Sequence, residues 1–208
     1  MHFPVTTLGP GQRLGIWFQG CSIRCPGCVS VDTWASIPPK TTVELLLGQA
    51  RDALAIADGV TVSGGEPFDQ PDALEQLLIG IRTRSPADIL VFSGYSLERL
   101  APQLLRLDGL IDCLVADPFD GRAPQSRLLR GSDNQRLAML TPLGHQRFAA
   151  FDRALDPSDR VLDVVFDDET GQVFLVGIPR PGDMRKLASI LSETSLVAVT
   201  TEAKVPTA

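Results

Sequence analysis

The chain has 208 residues, 44% of them hydrophobic and 21% charged, enough to build a core in one domain or one domain with an appendage. A net charge of −6 argues against a partner held through nucleic-acid phosphates. No apolar run approaches the ~18 residues of a membrane span, and the opening Met1-His2-Phe3-Pro4 has neither the charged nor the apolar part of a secretory signal, so a cytoplasmic protein without membrane contact is expected.

In chain order, the aromatic and apolar run at 14–19 (LGIWFQ) predicts a first strand, and a cysteine-bearing segment follows it. Thr41-Thr42-Val43-Glu44 fits a capping box. It opens a helix to about residue 56, with Leu45, Leu46, Leu47, Ala50 and Leu54 on its apolar side. Residues 59–62 predict a second strand, then a glycine-rich turn, then a helix over 71–82 with proline in its first turn. Residues 88–92 (DILVF) predict a third strand, Ser96 caps a short helix, and 111–116 (IDCLVA) predict a fourth strand. Strands alternating with helices imply an α/β fold with a parallel sheet, open or curled into part of a barrel. Residues 117–135 read as a long loop, and 136–140 as a fifth strand. Past Pro142 the character changes, giving a core of 1–143 and a C-terminal extension of 144–208. In the extension, 161–166 and 172–176 are β-rich runs around the turn Asp167-Asp168-Glu169-Thr170-Gly171. Residues 181–191 look helical, 196–200 look like a strand, and the end at Pro206-Thr207-Ala208 is expected to fray.

Cys21, Cys25 and Cys28 sit in the loop after the first strand, while Cys113 lies far away in an apparent strand. A reducing compartment disfavours disulfides and favours metal or redox use. Three readings compete. The cysteines could be buried structural thiols. They could bind zinc, with Cys113 or His145 as the fourth ligand that a structural site needs. They could hold an iron–sulfur cluster, whose fourth iron stays open to a small molecule.

Ser63-Gly64-Gly65-Glu66-Pro67-Phe68 follows the second strand. Its glycines let a ligand approach the backbone, or serve a turn needing positive φ. In parallel α/β folds, ligands bind where strands end. The cysteine loop, Ser63 to Pro67, Ser93-Gly94-Tyr95 and Asp117-Pro118 follow four successive strands, so all four segments are expected at one mouth.

With these residues on the page, the chain resembles the radical S-adenosylmethionine (SAM) superfamily in Cys21-x3-Cys25-x2-Cys28 and in Gly64-Gly65-Glu66. Within it the chain is similar to the anaerobic ribonucleoside-triphosphate reductase activating family and to glycyl-radical-enzyme activases. The similarity runs through Gly9-Pro10-Gly11-Gln12-Arg13, Ile16-Trp17-Phe18-Gln19-Gly20-Cys21, Asp32-Thr33-Trp34, Ser93-Gly94-Tyr95, Ile111-Asp112, Pro118-Phe119 and Leu129-Arg130-Gly131-Ser132-Asp133-Asn134-Gln135-Arg136. It implies a partial, open TIM-like β/α barrel, and a [4Fe–4S] cluster on Cys21, Cys25 and Cys28. It also implies SAM contacts from Gly27, Cys28, Val29, Ser63, Gly64, Gly65, Glu66, Ser93 and Asp117. The implied reaction splits SAM reductively into methionine and a 5′-deoxyadenosyl radical, which takes hydrogen from a glycine of a partner glycyl radical enzyme such as an anaerobic ribonucleotide reductase. A low-potential donor such as flavodoxin or ferredoxin would supply the electron.

Val29-Ser30 after the third cysteine and the extension from about His145 depart from the family pattern. They keep open a radical SAM enzyme acting on a small molecule or peptide, and a non-catalytic zinc module stands as the reading from another class. Trp17, Phe18 and Trp34 are expected in the core or shielding the cluster, Cys113 as a core thiol, and His2 and His145 at the surface. The extension is expected to cover a sheet edge and leave the mouth clear. Valine at 65 is expected to weaken SAM binding and spare the cluster.

Overall fold

A computed structural model describes residues 1–38, 41–167 and 172–193. The expected turn at 168–171, the strand-like run at 196–200 and the frayed end at 206–208 lie outside the described residues. The central sheet has six strands in sequence order. They are β1 (His2–Val5), β2 (Arg13–Phe18), β3 (Gly59–Gly64), β4 (Asp88–Phe92), β5 (Cys113–Ala116) and β6 (Arg136–Met139). Strands β2 to β5 are parallel, whereas β1 and β6 join antiparallel at the two edges. The sequence missed β1, whose four residues His2-Phe3-Pro4-Val5 show no period. It found β6 but not its direction.

Parallel strands covered on both faces read as continuous apolar runs. Val60, Val62, Ile89, Leu90, Val91, Leu114 and Val115 are wholly buried. One face packs against α1 (Val43–Gln49), α2 (Arg51–Ile56), α3 (Pro71–Arg82) and α4 (Leu97–Arg106). In α3, Leu74, Leu77, Leu78 and Ile81 repeat at helical spacing and are all buried. The single helix expected before β3 is broken at Ala50, and its cap differs too. Thr42, not Thr41, accepts the cap bond from the Leu45 N–H, so position N3 holds a leucine and no reciprocal Glu44 bond closes a box. Leu45 is exposed, while Leu47, Ala50 and Leu54 carry the packing. Ser96 caps α4 as expected, accepting from Arg99 N–H.

The other face is covered by chain from beyond β5. Leu128, Leu129 and Phe148 of α5 (Pro142–Phe148) bury Leu90, Cys113 and Val115. A separate antiparallel hairpin, β7 (Leu162–Asp167) with β8 (Gln172–Gly177), buries Val176 against Val5 and Leu8. Asp163 ties it down by accepting from the backbone N–H and the hydroxyl of both Thr6 and Thr7. Helix α6 (Asp183–Glu193) follows. The hairpin forms its own sheet and adds no strand to the central one.

The amino ends of the strands hold a buried ionic cluster. The Arg13 guanidinium is fully buried and pairs with Asp88 at 2.6 Å. It also donates to the Thr61 hydroxyl and to the carbonyls of Pro10 and Val60. It lies 5.4 Å from the Phe148 ring. Arg147 of α5 pairs with the second Asp88 oxygen at 2.9 Å. Residues just past the expected core boundary at 143 therefore stitch the bottom of the sheet.

Candidate functional site

The β2–β3 register aligns Phe18 with Gly64, so both strands end at one level. There the cysteine loop meets the glycine turn. Gly65 N–H donates to Phe18 O at 2.8 Å, and Glu66 N–H to Gly20 O at 2.9 Å. A Cβ on Gly65 would fall on the Gly20 carbonyl, so this glycine serves a backbone crossing. The cysteine loop is closed by Gly20 N–H to Thr33 O at 2.8 Å and by Cys21 N–H to Trp34 O at 3.3 Å. Cys25-Pro26-Gly27-Cys28 is a tight turn, with Cys28 N–H donating to Cys25 O at 3.1 Å and Gly27 at φ +80°. Proline then glycine in the middle is what a type II turn requires, which accounts for Gly27 before the third cysteine.

A second anchor comes from Asp69. Its carboxylate accepts from Ser22 N–H at 2.8 Å, Ser22 hydroxyl at 3.0 Å and Tyr95 hydroxyl at 2.6 Å. Three strand-end segments are thus locked around Cys21. Sequence reasoning missed Asp69, since nothing in Pro67-Phe68-Asp69 announces a partner 47 residues upstream.

Cys21, Cys25, Cys28, Gly27 and Val29 line a cavity of about 940 Å³ together with Ser63, Gly64, Gly65, Glu66, Ser93 and Gly94. That lies at the upper end of small-molecule sites. Four placements differ from expectation. The Glu66 carboxylate is buried and turned into the protein, accepting from Phe68 N–H, Ser93 hydroxyl and Gly94 N–H at 2.8–3.0 Å. It therefore holds two strand-end turns together. Asp117 does not line the cavity, because Arg136 draws its carboxylate away and its φ of +84° sharply redirects the chain, so Phe119 lines the cavity instead. Nor does the extension leave the mouth clear: residues 174–182 and Arg185 form the wall facing the thiols. His2 is not a simple surface residue: its ring meets Trp17 edge-on and lies tilted against Phe174.

Burial pushes Glu66 up to about 7 against the partial offset of its three donors. The folded chain then keeps its proton above pH ~4.5, where the unfolded chain releases it. Stability should fall by on the order of 3 kcal/mol between pH ~4.5 and about 7, then level off. Urea unfolding of wild type and Glu66→Gln at both ends of this window checks it, since the variant should lack this component of the slope.

Gly65→Ala should do more than was expected of valine. By displacing Gly20 it moves Cys21, so cluster content as well as SAM affinity should fall, each by tenfold or so. Iron and sulfide analysis alongside calorimetry measures both; full retention of either would count against the crossing.

Among the described residues no three His, Cys, Asp or Glu side chains gather on a single ion. A single zinc demands such convergence, whereas cluster ligands each take a separate iron. Burial pushes Cys25 and Cys28 up, and the neighbouring thiols add to it, an unfavourable charge that bound iron would relieve. The backbone at Phe119 for Cys25, and the Ser30 backbone with the Trp34 side chain for Cys28, offset that rise in part. Donors of this kind steady cluster thiolates. Cys113 and His145 stand outside the cavity. Cys113 is packed beside Leu90 and Val115 and pushed up to about 12 by burial, and His145 is exposed on α5. Neither completes a zinc site, and the residues present fit a cluster.

A thiol triplet and a backbone cradle at the carboxyl ends of parallel strands define an iron–sulfur protein that binds a small ligand. Residues 7–138 match the family described as "4Fe-4S single cluster domain". The chain is 34% identical over 145 residues to the anaerobic ribonucleoside-triphosphate reductase-activating protein of Escherichia coli (strain K12), covering 64% of this chain and 93% of that one. It is 29% identical over 136 residues to the protein of the same name from Enterobacteria phage T4, covering 62% and 85%. It is 30% identical over 144 residues to the pyruvate formate-lyase-activating enzyme of Streptococcus mutans, covering 62% and 52%. The chain belongs to the 4Fe-4S single cluster domain family, as a radical SAM enzyme of the activase kind, whose cofactors are a [4Fe–4S] cluster and SAM.

Proposed function

We propose that this chain activates a glycyl radical enzyme of the anaerobic ribonucleotide reductase type. One observation carries the reading: the three thiols and the glycine turn line one cavity, on a chain 34% identical to an activating protein named for that reductase. Cys21, Cys25 and Cys28 would hold the cluster. When reduced, the cluster and SAM together supply methionine and a 5′-deoxyadenosyl radical for hydrogen abstraction from glycine. Gly27 and Val29 would border SAM from the cysteine loop, and Ser63, Gly64 and Gly65 from the turn. Glu66 and Ser93 would act from behind, keeping these backbones in register. Phe119 and Trp34 would shield the thiols from water.

Three finer readings go with this. The sequential order β2-β3-β4-β5, with α1 to α4 on one face, supports an open stretch of a TIM-like barrel. The chain divides into a core of 1–143 and an extension of 144–208, with α5 bridging the two. A reducing, cytoplasmic setting with a flavodoxin or ferredoxin as electron donor suits the half-buried free thiols; among the described residues no helix is long and apolar enough to cross a membrane.

The test mixes anaerobically reconstituted chain, SAM and reductant with the reductase of the same organism. Electron paramagnetic resonance should show a glycyl radical whose splitting collapses on deuterating glycine. Formation of 5′-deoxyadenosine with no radical on the reductase would move the assignment to a small-molecule or peptide substrate.

A further inference from the structure

The family match ends at residue 138, yet the cavity does not. Its far wall is built from the extension: Phe174, Leu175, Val176, the turn at 177–182 and Arg185 of α6. The wall is held in place, since Arg180 donates to the Asp156 carbonyl at 2.8 Å and Val176 is buried against Val5 and Leu8.

The hairpin is apolar on both faces, which a hairpin with one face in water does not need. Val165 and Val176 pack inward. Outward, the cross-strand pairs Val164–Leu175 and Phe166–Val173 are 52%, 38%, 69% and 55% exposed respectively. Four large apolar side chains on one face mark an interaction surface. Leu175 belongs to this face, and its strand borders the cavity through the opposite face at Phe174 and Val176, so the patch and the cavity wall share one strand. Arg185 stands at the same rim, exposed, with no acidic partner among the described residues.

Resting on the activase reading above, we propose that the extension is the partner-binding wall of the site. The segment of the partner that carries the target glycine lies along it, with an apolar stretch on Val164, Phe166, Val173 and Leu175 and a carboxylate at Arg185. The shared strand favours this occupant, because a segment that covers the patch lies beside the wall of the cavity in which a glycine must meet the cofactors. Related activases that end with the core would grip their partners without such a wall.

The experiment compares wild type, the double variant Phe166→Ser/Val173→Ser and Arg185→Glu, all as reconstituted full chains. The probe is the purified anaerobic reductase of the same organism. The double variant replaces no cavity-lining residue, so its partner-independent 5′-deoxyadenosine formation should match wild type. Its Kd for the reductase should weaken at least tenfold, and its yield of glycyl radical should fall at sub-saturating reductase. Arg185→Glu should weaken Kd by a similar factor and reduce its salt dependence. Unchanged Kd in both, with wild type installing the radical, overturns the wall and leaves the activase reading standing. A wild-type dimer that the double variant turns into a monomer with unchanged Kd assigns the face to a second copy and overturns the proposal. Lowered thermal stability with unchanged Kd assigns it to the chain's own residues 194–208 and overturns it too. A wild-type chain that leaves the reductase without a radical overturns the activase reading and the proposal with it.

Discussion

Alanine at Cys21, Cys25 or Cys28 should strip the chain of its cluster. Anaerobically purified wild type should carry about four irons and four sulfides, and each variant almost none. SAM cleavage should drop to background. The physical reason is local: three thiols on one short loop share a single cavity, and the fourth cysteine, Cys113, lies outside it. Cys113→Ala is the control. That thiol packs among Leu90, Val115 and Phe148 on the far face of the sheet, so its loss should cost about 1 kcal/mol of stability and no iron. Full iron in a Cys25→Ala chain, or stoichiometric zinc in anaerobic wild type, would overturn the cluster assignment.

Arg13→Met should cost about 3–5 kcal/mol, because it leaves Asp88 buried with only Arg147, a partner one-third exposed, against its charge. For a chain of this size that corresponds to a fall in Tm of about 10 °C. Burial pulls the Arg13 guanidinium below its ordinary range, so the pair persists only because each charge has the other. Arg13→Met with Asp88→Leu should recover most of the loss, since no lone buried charge remains. Cluster content per folded molecule should stay unchanged in both, as this network sits at the amino ends of the strands, away from the thiols. Calorimetry with iron analysis separates the two effects. A single variant as stable as wild type, or a double variant less stable than the single, would contradict it.

Much of this protein is written in short-range pattern. The four parallel strands were legible because each is a continuous apolar run, and α3 because Leu74, Leu77, Leu78 and Ile81 keep helical period. The site was legible for the same reason: the thiols lie within eight consecutive residues, Gly27 follows proline in a turn, and the glycine pair ends a strand. Chemistry that depends on neighbours along the chain leaves its mark there. Contacts between distant segments leave none. No spacing shows that Arg13 faces Asp88, that Asp69 reaches back to Ser22, or that Glu66 spends its carboxylate on Ser93 and Gly94. Nor could Asp117 be told from Phe119 as the residue lining the cavity, since a single positive φ decides it. The hairpin at 162–177 was foreseen as an element, but its place was not. It lies over the cavity because Val176 finds a pocket at Val5 and Leu8 and Asp163 finds four donors on Thr6 and Thr7. The sequence by itself determined the cluster loop, its cradle and the strand order, all from local period and spacing. The tertiary structure alone decided which polar groups are consumed in holding that cradle, and that the extension forms a wall of the site, because both rest on burial and pairing between distant segments, 26 to 47 residues apart around the cradle and 157 at the extension.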